Sequence, residues 1–224
     1  MTTLYAIPTP LGGSPADSLS ESSLKKIRAL KHFAVENAKS ARAFLGALDM
    51  PVRELNIEVL AENVATHLKG EDLGLLSEAG CPAIADPGAK LVEAAHAKGY
   101  RVVPLVGPSS IVMALMASGL EGQRFAFCGY LPRDSSERKS ALQKLERRSR
   151  SEKETQIFIE TPYRNDAMFA ALLETCGETT RLCVAADLTL PGETIRSRTI
   201  AAWRRNPAPP GKRPAVFLLL AQNR

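Results

Sequence analysis

The chain alternates short apolar runs with segments whose apolar residues recur at helical spacing. The first run, Leu4–Ile7, stops at Pro8 and Pro10, which predicts a strand feeding a loop from Thr9 to Pro15. Asp17 or Ser18 is placed to cap a helix that continues through Leu24, Ile27 and Leu30. A β-like run over residues 32–35 ends at Glu36, and a helix over 40–48 is broken by Pro51. Residues 56–70 carry Leu and Val at helical spacing and predict a further helix, closed by Gly70. Leu73–Ser77 reads as a buried strand, then a Gly/Pro loop, then a helix from about Gly88 to Lys98 stopped by Gly99. Residues 101–120 repeat the plan with a strand, a Gly-Pro-Ser-Ser turn and an apolar helix.

The pattern changes between Ser118 and Arg124. Beyond it, a strand and turn are expected over 125–132, strands near 156–160 and 181–190, a strand mixed with a short helix over 194–205, and an apolar strand from Pro214. A highly charged helix spans 134–153, and a second helix over 166–176 stops at Gly177. Strand–loop–helix alternation indicates βαβ units. The expected fold class is therefore α/β, as two domains, 1–119 and 120–224, with mainly parallel or mixed sheets.

Composition narrows the picture only at a few points. With 45% hydrophobic and 24% charged residues the chain can build a real core, so wholesale disorder is excluded. No apolar run approaches the ~18 residues of a membrane helix, and the N-terminus shows no signal-peptide pattern. The four cysteines are scattered without a CxxC pair, which fits reduced, mostly buried thiols in the cytoplasm. The three histidines are scattered too, read as exposed or lightly packed helix residues, and no metal site is expected. A net charge of +5 permits an anionic partner without identifying one.

In open α/β sheets, ligands sit beyond the carboxyl ends of the strands. Four loops hold that position: Pro8–Pro15, Ser77–Gly88, Gly107–Ser110 and Glu160–Asn165. The second is longer than a turn requires, is stiffened by Pro82 and Pro87, and has Gly80 and Gly88 for close ligand approach. Asp86 is placed to cap the helix that follows. Free N–H groups at Ser109–Ser110 suit an anionic group at a helix start. There is no GxGxxG, no GxxxxGK[ST] and no nucleophile–His–acid set, which disfavours a standard dinucleotide fold, a P-loop enzyme and a covalent hydrolase.

The ordered segments TP-LG, LLSEAGCPAIADPGAKLV, VPLVGPSSIVMALMASGL, GYLPR and FIETPYR resemble the tetrapyrrole methylase superfamily, in its ribosomal RNA small-subunit methyltransferase I branch. The resemblance spans residues 4 to about 220. It implies two α/β domains with S-adenosylmethionine in the interdomain cleft, usually in a homodimer. It implies methylation of a cytidine 2′-hydroxyl in ribosomal RNA or the small ribosomal subunit, with no membrane involved. The implied cofactor contacts are Pro10, Glu78, Ala79, Gly80, Ile84, Asp86, Ser109 and Ser110, then Tyr130, Leu131, Glu160, Thr161, Leu190, Pro214 and Ala215. The chain departs from the family pattern at Gly12–Gly13, at Glu36-Asn37-Ala38-Lys39, at Glu78 and at Asp187–Leu190.

Methyl transfer to a hydroxyl is a displacement that gains from positioning and from a base. Glu36, Lys39 and Arg42 form one candidate catalytic group, with Glu36 the preferred base. Glu160 and Arg164 form the other. Each also reads as an ordinary surface ion pair. The charged segment holds Arg138, Lys139, Lys144, Arg147, Arg148 and Arg150, but Glu137, Glu146, Glu152 and Glu154 are interleaved, and such a helix is more often a solvated face than an RNA contact. Tyr163 is the better candidate for stacking on a base. Two further readings stay open: a methyltransferase for a tetrapyrrole-like or other small acceptor, and a cofactor-binding module without catalysis.

Overall fold

A computed structural model describes residues 2–221. They form two compact units that divide between Ser109 and Ser110.

The first unit is built on a five-stranded parallel sheet. Its strands are β1 (Thr3–Ile7), β2 (His32–Val35), β3 (Asn56–Val59), β4 (Leu73–Leu76) and β5 (Arg101–Pro104), in the order β3-β2-β4-β1-β5. The side-chain alternation of a strand divides the core into two layers. Ile7, Phe33, Val35 and Leu76 face the helices α2 (Glu21–Arg28) and α3 (Ala38–Gly46), through Leu24, Ile27, Ala41 and Leu45. Leu4, Ala34, Leu73 and Leu75 face α4 (Ala89–Ala97), through Leu91 and Ala95. A sheet covered on both faces needs the continuous apolar strands seen here, such as the wholly buried Leu73–Leu76.

Three local expectations are corrected. Residues 56–70 do not form one helix: Asn56–Val59 pair in parallel register with His32–Val35 as an edge strand, and Val64–His67 form a single 3-10 turn. Sheet pairing outweighs helical spacing in so short a segment. Helix α2 is capped by Ser20, and Asp17 and Ser18 instead lie in the short helix α1 (Pro15–Ser18), capped by Ser14. Asp86 does not cap α4, whose N-cap is Gly88 with no side-chain hydrogen bond. Two of the three histidines differ as well, whereas His96 lies exposed on α4 as expected. His67 is buried, with Nδ1 against Glu58 Oε2 (3.1 Å) and Nε2 accepting the Ala61 N–H (3.2 Å). His32 opens β2 and pairs with Glu71 at 2.9 Å.

The second unit has a mixed sheet of β6 (Phe125–Tyr130), β7 (Thr155–Glu160), β8 (Arg181–Ala186), β9 (Thr194–Thr199) and β10 (Ala215–Leu220), ordered β6-β7-β10-β8-β9. Only β6 and β7 pair in parallel; β10 runs antiparallel to both neighbours. One face carries α6 (Ser135–Glu152), α7 (Asn165–Thr175) and α8 (Ile200–Arg205) over Phe158, Leu182, Val184, Phe217 and Leu219. Trp203 anchors that layer, edge-on to Phe169 (centroids 5.2 Å) and donating Nε1–H to the Leu182 carbonyl at 2.9 Å. The opposite face is covered by α5 (Ser110–Ser118), which packs on β10, β9 and β8. Helix α5 is thus the element whose place differs from a 1–119/120–224 division. Among the described residues no helix is long and apolar enough to cross a membrane.

Candidate functional site

In the first unit, the expected ligand loops converge at the carboxyl edge of the parallel sheet. Because β2, β4, β1 and β5 are successive neighbours, the residues that follow them are brought side by side. The loops after β1 and β4 are laced together by reciprocal backbone hydrogen bonds: Thr9 N–H donates to the Gly80 carbonyl (2.9 Å) and Gly80 N–H to the Thr9 carbonyl (3.0 Å). Gly80 takes φ +78°, a conformation that favours glycine. Cys81 Sγ donates to the Pro108 carbonyl (3.4 Å), which ties in the loop after β5. Gly107 approaches Pro8 so closely that an added Cβ would lie 2.5 Å from the proline Cβ and 2.9 Å from Leu19. Gly107→Ala must push two loops apart; overpacking of this kind costs about 1–3 kcal/mol. We expect a lower melting temperature, read by thermal melts.

Three carboxylates gather on this edge. Glu36 directly follows β2 and its Oε2 accepts the Glu78 N–H at 3.3 Å. Glu78 in turn accepts from the Ser40 hydroxyl at 3.2 Å. Asp86 is half-buried beside them. Burial first, then the charge of Glu36, pushes its carboxyl up to about 6; the Ser77 hydroxyl opposes the shift and Glu78 adds to it. Asp86 also lines a cleft of about 440 Å³ with Leu60, Glu62, Val64 and Lys90. Among the described residues, no three His, Cys, Asp or Glu are grouped to hold a metal ion.

Other predicted residues of the first unit fall around this cluster. Ala79 and Ile84 are exposed on the long loop, where Ala83 (φ 66°) and Ala85 (φ 65°) hold left-handed backbone. Such conformations cost of order 1–3 kcal/mol each and concentrate at ligand clamps. Pro10 is half-buried, and Ser109 bonds to Cys81. Lys39 and Arg42 sit exposed on α3 and form no ion pair with Glu36. Asn37 is the cap of that helix, accepting from the Lys39 and Ser40 N–H groups. Sequence reasoning missed Ser40 and Ser77, whose hydroxyls serve the carboxylates. An Asn cap with Ser three residues on was the available signal for Ser40.

The second unit has a cluster of its own. The end of β7, the start of β10 and the end of β8 are adjacent, with Ala215 opposite both Glu160 and Ala186. Asp187 N–H donates to the Pro214 carbonyl (3.0 Å), and Arg213 Nη1 lies 3.6 Å from Asp187 Oδ2. This gathers Glu160, Thr161, Arg164, Leu190, Pro214 and Ala215, with Tyr130 at the matching end of β6. Leu131, Glu160 and Ala215 are nevertheless buried, so their side chains are not surface groups for a ligand. Glu160 Oε1 accepts the Thr161 N–H (2.6 Å) and is clamped by the Arg164 guanidinium, whose Nε donates at 2.9 Å. Of the two readings open for Glu160 and Arg164, the ion pair is formed, and it is buried on the Glu160 side rather than lying at the surface.

The architecture belongs to a class of methyltransferase folds. The chain aligns with uroporphyrin-III-C-methyltransferase from Thermus thermophilus (TM-score 0.55, 18% identity, 98% of this chain and 94% of that one). It aligns likewise with diphthine synthase (TM-score 0.64, 15% identity, 99% and 90%). No family model matches the chain. Sequence relatives are more specific. Ribosomal RNA small subunit methyltransferase I of Xylella fastidiosa is 34% identical over 98% of this chain and 81% of its own length. The Pseudomonas aeruginosa protein of that name is 36% identical over 89% and 71%. The chain belongs to the ribosomal RNA small subunit methyltransferase I family, and it is a methyltransferase.

Proposed function

We propose that the protein transfers a methyl group from S-adenosylmethionine to a ribose 2′-hydroxyl of small-subunit ribosomal RNA. The observation that carries the cofactor is the carboxylate group at Glu36, Glu78 and Asp86. S-adenosylmethionine presents a sulfonium, an ammonium and ribose hydroxyls, all of which suit ionised carboxylates. The family membership supports the ribosomal RNA acceptor.

Pro10, Glu78, Ala79, Gly80, Ile84, Asp86 and Ser109 would hold the cofactor, which supplies a methyl group on a positively charged sulfur. Glu78 and Asp86 bind its donors, while the stiff, laced loops fix its position and limit water. Glu36 would take the proton that the acceptor hydroxyl loses on methylation. Lys39 and Arg42, exposed on α3, are placed to meet acceptor phosphates. The homodimer implied by the family belongs to the same reading, and the exposed Met116 (80%) of α5 is apolar surface of the kind an interface buries.

Calorimetric titration with S-adenosylmethionine, followed by transfer of labelled methyl groups to purified small ribosomal subunits, tests this reading. We expect binding that weakens roughly 10-fold in Ser109→Ala, as for one lost hydrogen bond, and label in the RNA. Label in a tetrapyrrole precursor instead would replace the acceptor. Binding without transfer to either would leave a cofactor-binding module.

A further inference from the structure

The Tyr163 ring is 83% exposed, although it lies in the 3-10 turn Pro162–Arg164 that closes β7, one of the most firmly packed strands of the second unit. Both sides of that turn are immobilised. On one side Arg164 is clamped to buried Glu160. On the other, fully buried Asn165 donates Nδ2–H to the Arg213 carbonyl (2.6 Å) and the Gly211 carbonyl (3.3 Å). Asp166 Oδ1 accepts the Gly211 N–H at 2.8 Å. These bonds fix the segment around residue 212 beside the turn and place Lys212 Nζ 5.6 Å from the Tyr163 ring centroid. Lys212 is exposed and pairs with no carboxylate among the described residues. The result is a flat aromatic face and an exposed cation held side by side on hydrogen-bonded backbone.

We propose that Tyr163 and Lys212 form a contact for one unpaired RNA nucleotide, the ring stacking on its base and the ammonium meeting its phosphate. This rests on the ribosomal RNA reading above. An exposed ring offers a π-face that any base can cover, and single-stranded RNA is the nucleic acid whose bases are free to do so. Lys rather than a carboxylate beside the ring selects an anionic partner. The neighbouring positive charges are quenched: Arg164 by Glu160 and Arg213 by Asp187. Lys212 is therefore the local charge left for a phosphate.

The test uses the full chain with purified small ribosomal subunits and with a single-stranded oligoribonucleotide of mixed sequence. Tyr163→Ala is expected to weaken RNA affinity and raise the KM for subunits roughly 10-fold. Tyr163→Phe, which keeps the π-face, is expected to stay near wild type. Lys212→Gln is expected to lower the slope of log affinity against log salt by about one. Calorimetric affinity for S-adenosylmethionine is expected to be unchanged in all three. Unchanged RNA affinity and KM in Tyr163→Ala overturn the contact while wild-type methyl transfer to subunits leaves the function standing. Equal losses in the Phe and Ala variants overturn stacking. A wild-type protein that neither binds RNA nor methylates subunits overturns both readings together.

Discussion

Asp86→Asn is expected to make the protein more stable at pH 8 and a much poorer binder of S-adenosylmethionine. Folding raises the Asp86 carboxyl from its ordinary 3.8 to about 6, through burial and then the charge of Glu36. The raised value means that the protonated side chain favours folding. That contribution is complete below about pH 3.8 and is lost as pH rises through about 6. At pH 8 the folded state therefore carries an ionised Asp86 beside two other carboxylates. At 1.36 kcal/mol per pH unit the shift corresponds to about 3 kcal/mol. Screening by solvent at this half-open site reduces it to about 1–2 kcal/mol. The neutral Asn removes that cost, and the melting temperature at pH 8 should rise by roughly 2–8 °C. At about pH 3, below the ordinary 3.8, Asp86 is protonated in the folded and the unfolded chain alike, and the two melting curves should nearly coincide.

Cofactor affinity should move the other way. A hydrogen bond to a charged group contributes about 1.5–3 kcal/mol, so Asn should weaken binding roughly 10- to 100-fold. Wild-type affinity should increase between pH 5 and 7.5, because binding draws on the ionised form, whereas the Asn profile should be flat there. Calorimetry at several pH values measures both. Wild-type affinity in Asp86→Asn would remove this residue from the cofactor site, and a less stable variant at pH 8 would show that the charge is compensated in the fold.

Arg164→Ala should be the most destabilising single change in the second unit's loop cluster. It strips the cation from Glu160, whose side chain is only 1% exposed and keeps just the Thr161 N–H. Removing one partner of a buried pair costs about 3 kcal/mol or more, which for a chain of this size lowers the melting temperature by roughly 10 °C. The double variant Glu160→Gln/Arg164→Met should recover most of that loss, because no buried charge remains uncompensated. Thermal melts of the two variants suffice. Intact stability with abolished methyl transfer would restore Arg164 to the direct role its motif suggests.

The contrast between Asp86 and Arg164 shows how far the residues could be read without coordinates. Both were singled out by their place in loops at strand ends, and both lie there. The loop after β4 announced itself by length, prolines and glycines, which are backbone properties carried by the residues themselves. What Arg164 does depends on Glu160 being buried, and burial is decided by the sheet above it. The helix expected over 56–70 failed for a related reason. Its spacing is locally helical, but the free edge of β2 offers Asn56–Val59 a full set of backbone partners. The Asp86 cap failed because Gly88, at φ 131°, takes the chain into α4 instead.

The sequence by itself determined the α/β class, the succession of strands and helices, the loops that carry chemistry and the family resemblance. Each of these follows from local patterns of apolar residues, turn formers and motif spacing. Only the tertiary structure decided that Glu36, Glu78 and Asp86 share one edge, that Arg164 is neutralised, and that Lys212 stands over Tyr163. These are long-range pairings, and their strength depends on burial and neighbouring charge, which no local pattern encodes.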